Sequence, residues 1–442
     1  MKAYIDNDAD ASGKLELSEE LTLNGNLADV SLNATVSNEK QYQGLYPYTT
    51  QNIQAFDKTS DQQLNASELG DYFVSKGFSA SLATEALNLY DTNKDGSLDA
   101  FELLKANADF DGNTNGSLEF NEQLAQYAKF ANIDLSSVAG NTVQINGNFQ
   151  AASNVFKAYD TDKDNNLSED ETIAYFKTLG MPDYVADNFM TLCDSKDSVT
   201  GLGDGKLNNL ELMKGFIDAD SNKSGTLEFA ETINMYSTAA GANINVTEDN
   251  RIQIQGLYNR ALDQINYYDK DGNKELNLTE IEKFFTDINL PPSYANQFIE
   301  SYKNSDGQID TMGFIKAFID IDTDKTGIIN SNSWIKLGSQ LAGMNVDVKS
   351  NQIQDLYNRA LDQINYYDKD GNKELDLTEI EKFFTDINLP TSYANQFIES
   401  YKNSNGQADV MSFLKAFIDI DTDKTGIINA ASWIKLGNLL KP

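Results

Sequence analysis

A twelve-residue acidic segment recurs along this chain, in its cleanest form DTNKDGSLDAFE from Asp91 to Glu102, and the need to seat it repeatedly restricts the fold more than any other property of the sequence. Oxygen-bearing residues stand at its positions 1, 3, 5, 7, 9 and 12, which are Asp91, Asn93, Asp95, Ser97, Asp99 and Glu102. A hard divalent cation takes about six to eight oxygens at about 2.3 to 2.6 Å, with position 7 serving through its carbonyl, position 9 often through water and a Glu at position 12 through both oxygens. Gly96 at position 6 reaches φ > 0 at no steric cost, and Leu98 at position 8 is placed to form a short strand with a partner loop. Calcium is the ion this set suits. Several copies in register, each flanked by helix-patterned apolar residues, are not a chance match.

Seven loops carry a near-complete ligand set, and each ends in Glu. Besides the loop just described, they are Asp8, Asp10, Ser12, Lys14, Glu16 and Glu19; Asp111, Asn113, Asn115, Ser117, Glu119 and Glu122; Asp160, Asp162, Asp164, Asn166 and Glu171; Asp220, Asn222, Ser224, Thr226, Glu228 and Glu231; Asp269, Asp271, Asn273, Glu275 and Glu280; and Asp368, Asp370, Asn372, Glu374, Asp376 and Glu379. Lys274, Lys373 and Asn165 stand at position 6, where glycine is more comfortable. Six further loops are degraded. Asp57 to Glu68 keeps its ends but has Thr59 at position 3 and Gln62 at position 6. Thr200 to Glu211 lacks the first acids, although a longer loop starting at Asp194 retains Asp204 and Glu211. Asp322 to Ser333 and Asp421 to Ser432 open as DTDKTG and end in Ser, while Tyr302 to Gly313 and Tyr401 to Ser412 have lost both anchors and are expected to bind nothing.

The thirteen loops come in threes: a first, a second 33 to 40 residues on, and a third that starts 20 residues after the second. Two helices and a turn fit the first interval. The second is so short that one helix such as AFELLKANADF must serve both loops, and such a rod is about 15 Å long. The expected division is 1–35 as a partial unit, then three-loop units at 45–130, 149–240, 257–341 and 356–442. The last two are near copies at an offset of 99, sharing LYNRALDQINYYDKDGNKEL, which indicates tandem duplication.

Leu257, Ala261, Leu262, Ile265 and Tyr268 recur at helical spacing before one loop, and Leu278, Ile281, Phe284, Phe285 and Ile288 after it, with Pro291 and Pro292 stopping the exit helix. Between units, NIDLSSVAGNTVQINGN and NINVTEDNRIQIQG alternate apolar and polar residues, so short strands, an extended ordered linker or a flexible spacer are all open. The fold class expected is mainly α, as tandem helix-loop-helix modules with three loops per unit, the second and third sharing one helix, and short strands in the linkers.

Charge bounds the function. The 442 residues carry 68 Asp and Glu against 34 Lys and Arg, a net −34, with no His and one Cys. Without His the commonest general base is missing, and Cys193 sits in no pair or triad, so no catalytic residue is assigned and an enzyme is not expected. An acidic chain is a poor match for nucleic acid. The carboxylates crowd into loops where they repel one another. Seven bound divalent ions would carry +14 and take −34 to −20, so calcium is expected to supply folding free energy.

MKAYIDNDADASGKLELSEE aligns with MKGFIDADSNKSGTLEFAE from Met213, so the chain opens inside the shared helix of a further unit. If loops pair through position 8, an odd number leaves one without an internal partner, and a head-to-tail contact between copies could then propagate into a filament. No basic stretch followed by an apolar run marks a secretion signal, and no stretch of eighteen apolar residues offers a membrane span. Location stays open between an extracellular or cell-surface setting and the cytoplasm.

The loop residues above resemble those of the EF-hand superfamily, in its multi-hand form, over almost the whole chain. The resemblance implies paired helix-loop-helix units that bind Ca²⁺ as sensor, buffer or structural module. The shared helix, the three-loop unit and the missing Glu at position 12 in the last two units depart from it; dockerin-like modules use similar loops but in twos. Three roles follow: a calcium-stabilised structural or surface protein, a buffer or store, or a sensor or contractile element. Sensors present Met-rich grooves, and the eight Met here are scattered.

Overall fold

The computed structural model describes residues 6, 8, 11–138, 140–194, 203–348 and 351–441. Among the described residues the protein is mainly helical, about 60%, with 21 α-helices and a few short strands. Two compact bodies divide the chain, the first of residues 1–176 and 184–235, the second of 177–183 and 236–442.

Each loop sits between helices for local reasons. Asp99 caps the N-terminus of helix Ala100–Phe110, its carboxylate accepting from the N–H groups of Phe101 and Glu102 at 2.7 and 2.9 Å, while Glu102 reaches back to the Asp99 N–H at 3.0 Å. This reciprocal box satisfies donors that the helix leaves unpaired. The same helix ends on Asp111, the first residue of the next loop. One helix therefore spans the second and third loops, as the spacing predicts, and it recurs as Asn209–Ala219, Thr311–Ile321 and Val410–Ile420.

First and second loops pair through two-residue antiparallel strands: β1 (Leu64–Asn65) with β2 (Ser97–Leu98), β3 (Asn166–Leu167) with β4 (Leu207–Asn208), β5 (Glu275–Leu276) with β6 (Ile309–Asp310), and β7 (Glu374–Leu375) with β8 (Ala408–Asp409). Leu64 faces Leu98, Leu167 faces Leu207, Leu276 faces Ile309 and Leu375 faces Ala408, all fully buried. So short a ribbon is held by its flanking helices.

The linker expectation needs correction. The strands lie inside the loops, and the described linker residues form none. Thr142 to Tyr159 and Arg251 to Tyr268 are helices of 18 residues that absorb the second half of each supposed linker. Asn141 starts the first by accepting from the Gln144 N–H at 3.2 Å. Alternation over a few residues also fits one helical face, and an isolated extended segment has no ladder to join. What remains of the linkers, among the described residues, includes the 3-10 turn Ser136–Val138, and Ile133, Val138, Ile244 and Val246 are buried.

Among the described residues the third loops have no strand partner. Each docks instead on the first helix of its own three-loop stretch. Gly44, Gly147 and Gly256 lie against Gly116, Gly225 and Gly327 so closely that a Cβ on the helix glycine would overlap the loop carbonyl. A glutamine three residues earlier completes the contact: Gln41 and Gln144 donate to the carbonyls of Asp111 and Asp220, both at 3.2 Å, and Gln253 and Gln352 to the carboxylates of Asp322 and Asp421 at 2.9 and 3.0 Å. An odd number of loops therefore does not by itself demand a contact between chains, because four loops are satisfied by helices.

Candidate metal centres

In every loop with an acid at its start, that carboxylate turns inward and accepts from the N–H five residues on. The distances are 2.9 Å for Asp8 from Gly13, 2.9 Å for Asp91 from Gly96, 2.9 Å for Asp111 from Gly116 and 3.1 Å for Asp160 from Asn165. They are 2.9 Å for Asp220 from Gly225, 3.1 Å for Asp269 from Lys274 and 3.0 Å for Asp368 from Lys373. Position 6 has positive φ throughout, from 60° at Asn165 to 88° at Gly116. Lys274 and Lys373 take 67° and 65°, and there glycine has moved to position 4, as Gly272 and Gly371 at 80° and 79°. Each complete loop thus has two left-handed residues, and in six of the seven one of them is glycine; the Asp160 loop uses Lys163 and Asn165, at 61° and 60°.

Positions 3 and 5 fold the chain around the same centre. Asn93 and Asp95 accept from the N–H groups of Asp95 and Ser97 at 2.8 and 3.0 Å, Asn113 and Asn115 from Asn115 and Ser117 at 2.9 and 2.8 Å, and Asn222 and Ser224 from Ser224 and Thr226 at 2.8 and 3.2 Å. Asp164, Asp271, Asn273, Asp370 and Asn372 do likewise at 2.7 to 3.1 Å. In the first loop Ser12 Oγ donates to the Lys14 carbonyl at 3.0 Å and to Glu16 at 3.3 Å, while Asp10 lies outside the described residues.

The closing Glu spans the loop. Glu102 is fully buried and joins the N–H groups of Thr92 and Asp99 at 2.8 and 3.0 Å. Glu122 does so with Gly112 and Glu119, Glu171 with Thr161 and Ser168, Glu231 with Asn222 and Glu228, Glu280 with Lys270 and Asn277, and Glu379 with Lys369 and Asp376. Glu19 is bound by the Glu16 N–H at 3.1 Å.

The loop acids shift in both directions: against burial, hydrogen bonds from Ser168 and Thr161 hold Glu171 at about 2, while others rise. Burial lifts the carboxyls of Glu102 and Asp160 above the usual range. Burial also raises Glu122 and Glu231, and the neighbouring Glu119 and Glu228 push the same way. Asp160, Asp162 and Asp164 bring carboxylate oxygens within 4.8 Å of one another, and the buried Oδ1 of Asp160 has no hydrogen-bond partner. An orphaned buried carboxylate oxygen among two other acids fits a hard cation, and Lys206 Nζ, 2.6 Å from Asp164, offsets part of the charge.

The degraded loops differ in kind. Asp194 accepts from Asp204 and Gly205 at 3.2 and 3.0 Å, so it takes the first position eleven residues ahead of the glycine instead of five; Thr200 and the intervening residues lie outside those described. Tyr302 and Tyr401 turn out of their loops to donate to Asp320 and Asp419 at 2.9 and 3.0 Å. Asn304 and Asn403 close those loops, their N–H groups donating to the carbonyls of Gln308 and Gln407 at 2.9 and 2.8 Å. Ser333 and Ser432 replace the closing Glu, each Oγ accepting from the Asn at position 9 at 3.2 Å.

Glu275 and Glu374 serve the proposed sites only through their carbonyls. Their carboxylates face the paired loop, where Asn304 Nδ2 reaches Glu275 at 2.5 Å and Asn403 Nδ2 reaches Glu374 at 2.8 Å. Burial pushes Glu275 up to about 7, with Asp306 and Asp310 adding to it and Asn304 opposing. Its value exceeds the ordinary 4.5, so the stability it contributes is present at low pH and lost as pH rises towards 7. Glu275→Gln in metal-free protein should remove that decline and stabilise the second body at about pH 8 by about 1 to 2 kcal/mol, read from urea unfolding followed by tryptophan emission. Burial pushes the Cys193 thiol up to about 12, leaving it neutral at ordinary pH.

Compared with models of known families, with curated proteins and with solved structures, the chain matches none.

Proposed function

We propose that this is a calcium-binding structural protein of EF-hand type, an array in which bound ions fix the geometry of successive helices. The observation that carries the reading is the shared helix bounded by two loops, with Glu102 and Asp99 at one end and Asp111 at the other. An ion in each loop would bind oxygens from both flanks, clamping the helix at both ends while the third loop stays locked to the first helix. Calcium would supply charge neutralisation alone; the protein's side chains provide the oxygens, the caps and the packing. No catalytic role is part of the proposal. A buffer or store would use the same loops, but it needs no rigid connection between them.

Calorimetric titration with calcium tests this. Seven sites are expected for the seven complete loops. Glu102→Gln should weaken one of them by about 100-fold, equivalent to about 2.8 kcal/mol, and leave the Asp111 site filled. An unchanged stoichiometry and affinity profile in that variant would refute the ligand register. A compact chain whose sedimentation is insensitive to chelator would favour the buffer.

A further inference from the structure

One joint recurs along the array, formed by the turn after the first exit helix. In the second body the 3-10 turn Pro292–Tyr294 seats on the next β-pair: Tyr294 Oη donates to Asp409 Oδ2 at 2.7 Å and Ser293 Oγ to Glu374 at 2.6 Å. Within the same body, residues 179 and 180 are held alike, the Tyr258 hydroxyl donating to Leu179 O at 3.1 Å and Thr311 Oγ1 to Gly180 O at 2.8 Å. In the first body the matching Phe78 stacks on Phe149, with ring centroids 5.8 Å apart. Phe149, Tyr258 and Tyr357 each stand eleven residues before a first-loop Asp, and Tyr46 is the fourth member of that set.

Burial along the chain reveals two unmatched halves. The turn residues Phe78 and Ser79, Met181 and Pro182, and Leu290 and Pro291 are all buried. Their fourth counterparts are not: Leu389 and Tyr393 are half-exposed and Pro390 is exposed. On the receiving side, Asn208 and Asn209 are 6% and 5% exposed, Asp310 and Thr311 1% and 0%, and Asp409 and Val410 0% and 1%. Only Asp99 and Ala100, their counterparts in the first stretch, are half-exposed, beside half-exposed Tyr46 and Phe101.

We propose that the turn Leu389–Tyr393 docks on the Tyr46, Asp99 and Ala100 face of a second copy of this chain. The donor and acceptor of the Tyr294–Asp409 bond are both repeated, as Tyr393 and Asp99, and the aromatic Tyr357 as Tyr46. The occupant is a second copy because each half stands where the chain already makes this joint three times, once with the same Tyr–Asp pair. The contact is heterologous, so each copy keeps one free turn and one free face, and association propagates. The proposal rests on the modular reading above, and the one loop group it shares with that reading is Asp99, at position 9 of the Asp91 loop. At net −34 the copies repel, so salt or bound calcium promotes the joint.

Velocity sedimentation of the full chain in calcium tests this across a wide concentration range. Wild-type protein should grow from monomer to dimer and longer species. Leu389→Asp alone and Ala100→Arg alone should each remain monomeric with unchanged circular dichroism. Mixed together they should form dimers and nothing larger, because only one intact turn and one intact face remain between them. A wild-type chain that stays monomeric overturns the joint, as do single variants that associate like wild type or a mixture that stays monomeric or grows beyond dimers. Failure of the calcium reading would register separately, as absent calcium binding in the calorimeter with the joint intact.

Discussion

Removing calcium should unfold the first body and leave the second largely folded. Five complete loops, those opening at Asp8, Asp91, Asp111, Asp160 and Asp220, lie in the first body and two, those at Asp269 and Asp368, in the second. An ion at one hundred times its dissociation constant stabilises by about 2.7 kcal/mol per site, so additive sites would contribute roughly 13 kcal/mol to the first body and roughly 5 kcal/mol to the second. Packing runs the other way. Of the twelve largest fully buried side chains among the described residues, nine lie in the second body, among them Phe284, Phe298, Phe314 and Phe318. Phe284 and Phe318 each place a ring against Trp334, and Phe383 and Phe417 do the same with Trp433. The degraded loops of that body are closed by their own Asn and Ser side chains. Calorimetry in chelator should therefore split unfolding into two transitions, the first lowered by tens of degrees and the second by far less. Both tryptophans of the chain, Trp334 and Trp433, report the second body. Their emission should hold while helical circular dichroism falls; a coincident loss of both signals would sink the asymmetry.

Gly147→Ala should cost about 3 kcal/mol, far more than a helical glycine-to-alanine change normally would, since alanine is ordinarily the better helix former. A methyl there would overlap the Gly225 carbonyl, and backbone cannot rotate away as a side chain can. Parting helix from loop also breaks two bonds to Asp220, from Gln144 Nε2 at 3.2 Å and from Asn148 Nδ2 at 2.9 Å. The fourth stretch shows what tolerance requires: Asp355 stands at the equivalent helix position, and Arg359 Nε donates to the Gly426 carbonyl at 3.1 Å. Ala151 occupies the arginine's place in the second stretch and cannot do this. Thermal unfolding of Gly147→Ala, with calcium titration of its remaining sites, checks both the cost and its locus; a variant as stable as wild type would remove the glycine lock.

Much of this protein is legible from sequence because its ligand chemistry is local. A twelve-residue loop states its own turn, its caps and its carboxylates, and helix periodicity states which faces are buried. The shared helix from Ala100 to Phe110 follows from spacing alone. Two kinds of feature were not legible. The linker alternation was compatible with strand and helix, and only the partner of Gln144 and Gly147 decides between them. The fate of the third loops was hidden as well, although a glutamine followed three residues later by a glycine precedes three of the four first loops at one fixed distance. That recurrence is the trace that could have found them.

By itself, the sequence determined which loops carry the oxygens that the proposed calcium sites need, which lack them, and where helices begin and end. Tertiary structure alone decided that third loops lock to first helices, that Tyr302 and Tyr401 turn away from their loops, and that Leu389, Tyr393, Asp99 and Ala100 stay half-exposed where their counterparts are buried. The reason is range: ligand sets and caps are complete within about a dozen residues. The locks instead join residues some seventy apart, through backbone carbonyls that every residue type carries for Gln41 and Gln144 and through the Asp322 and Asp421 carboxylates for Gln253 and Gln352.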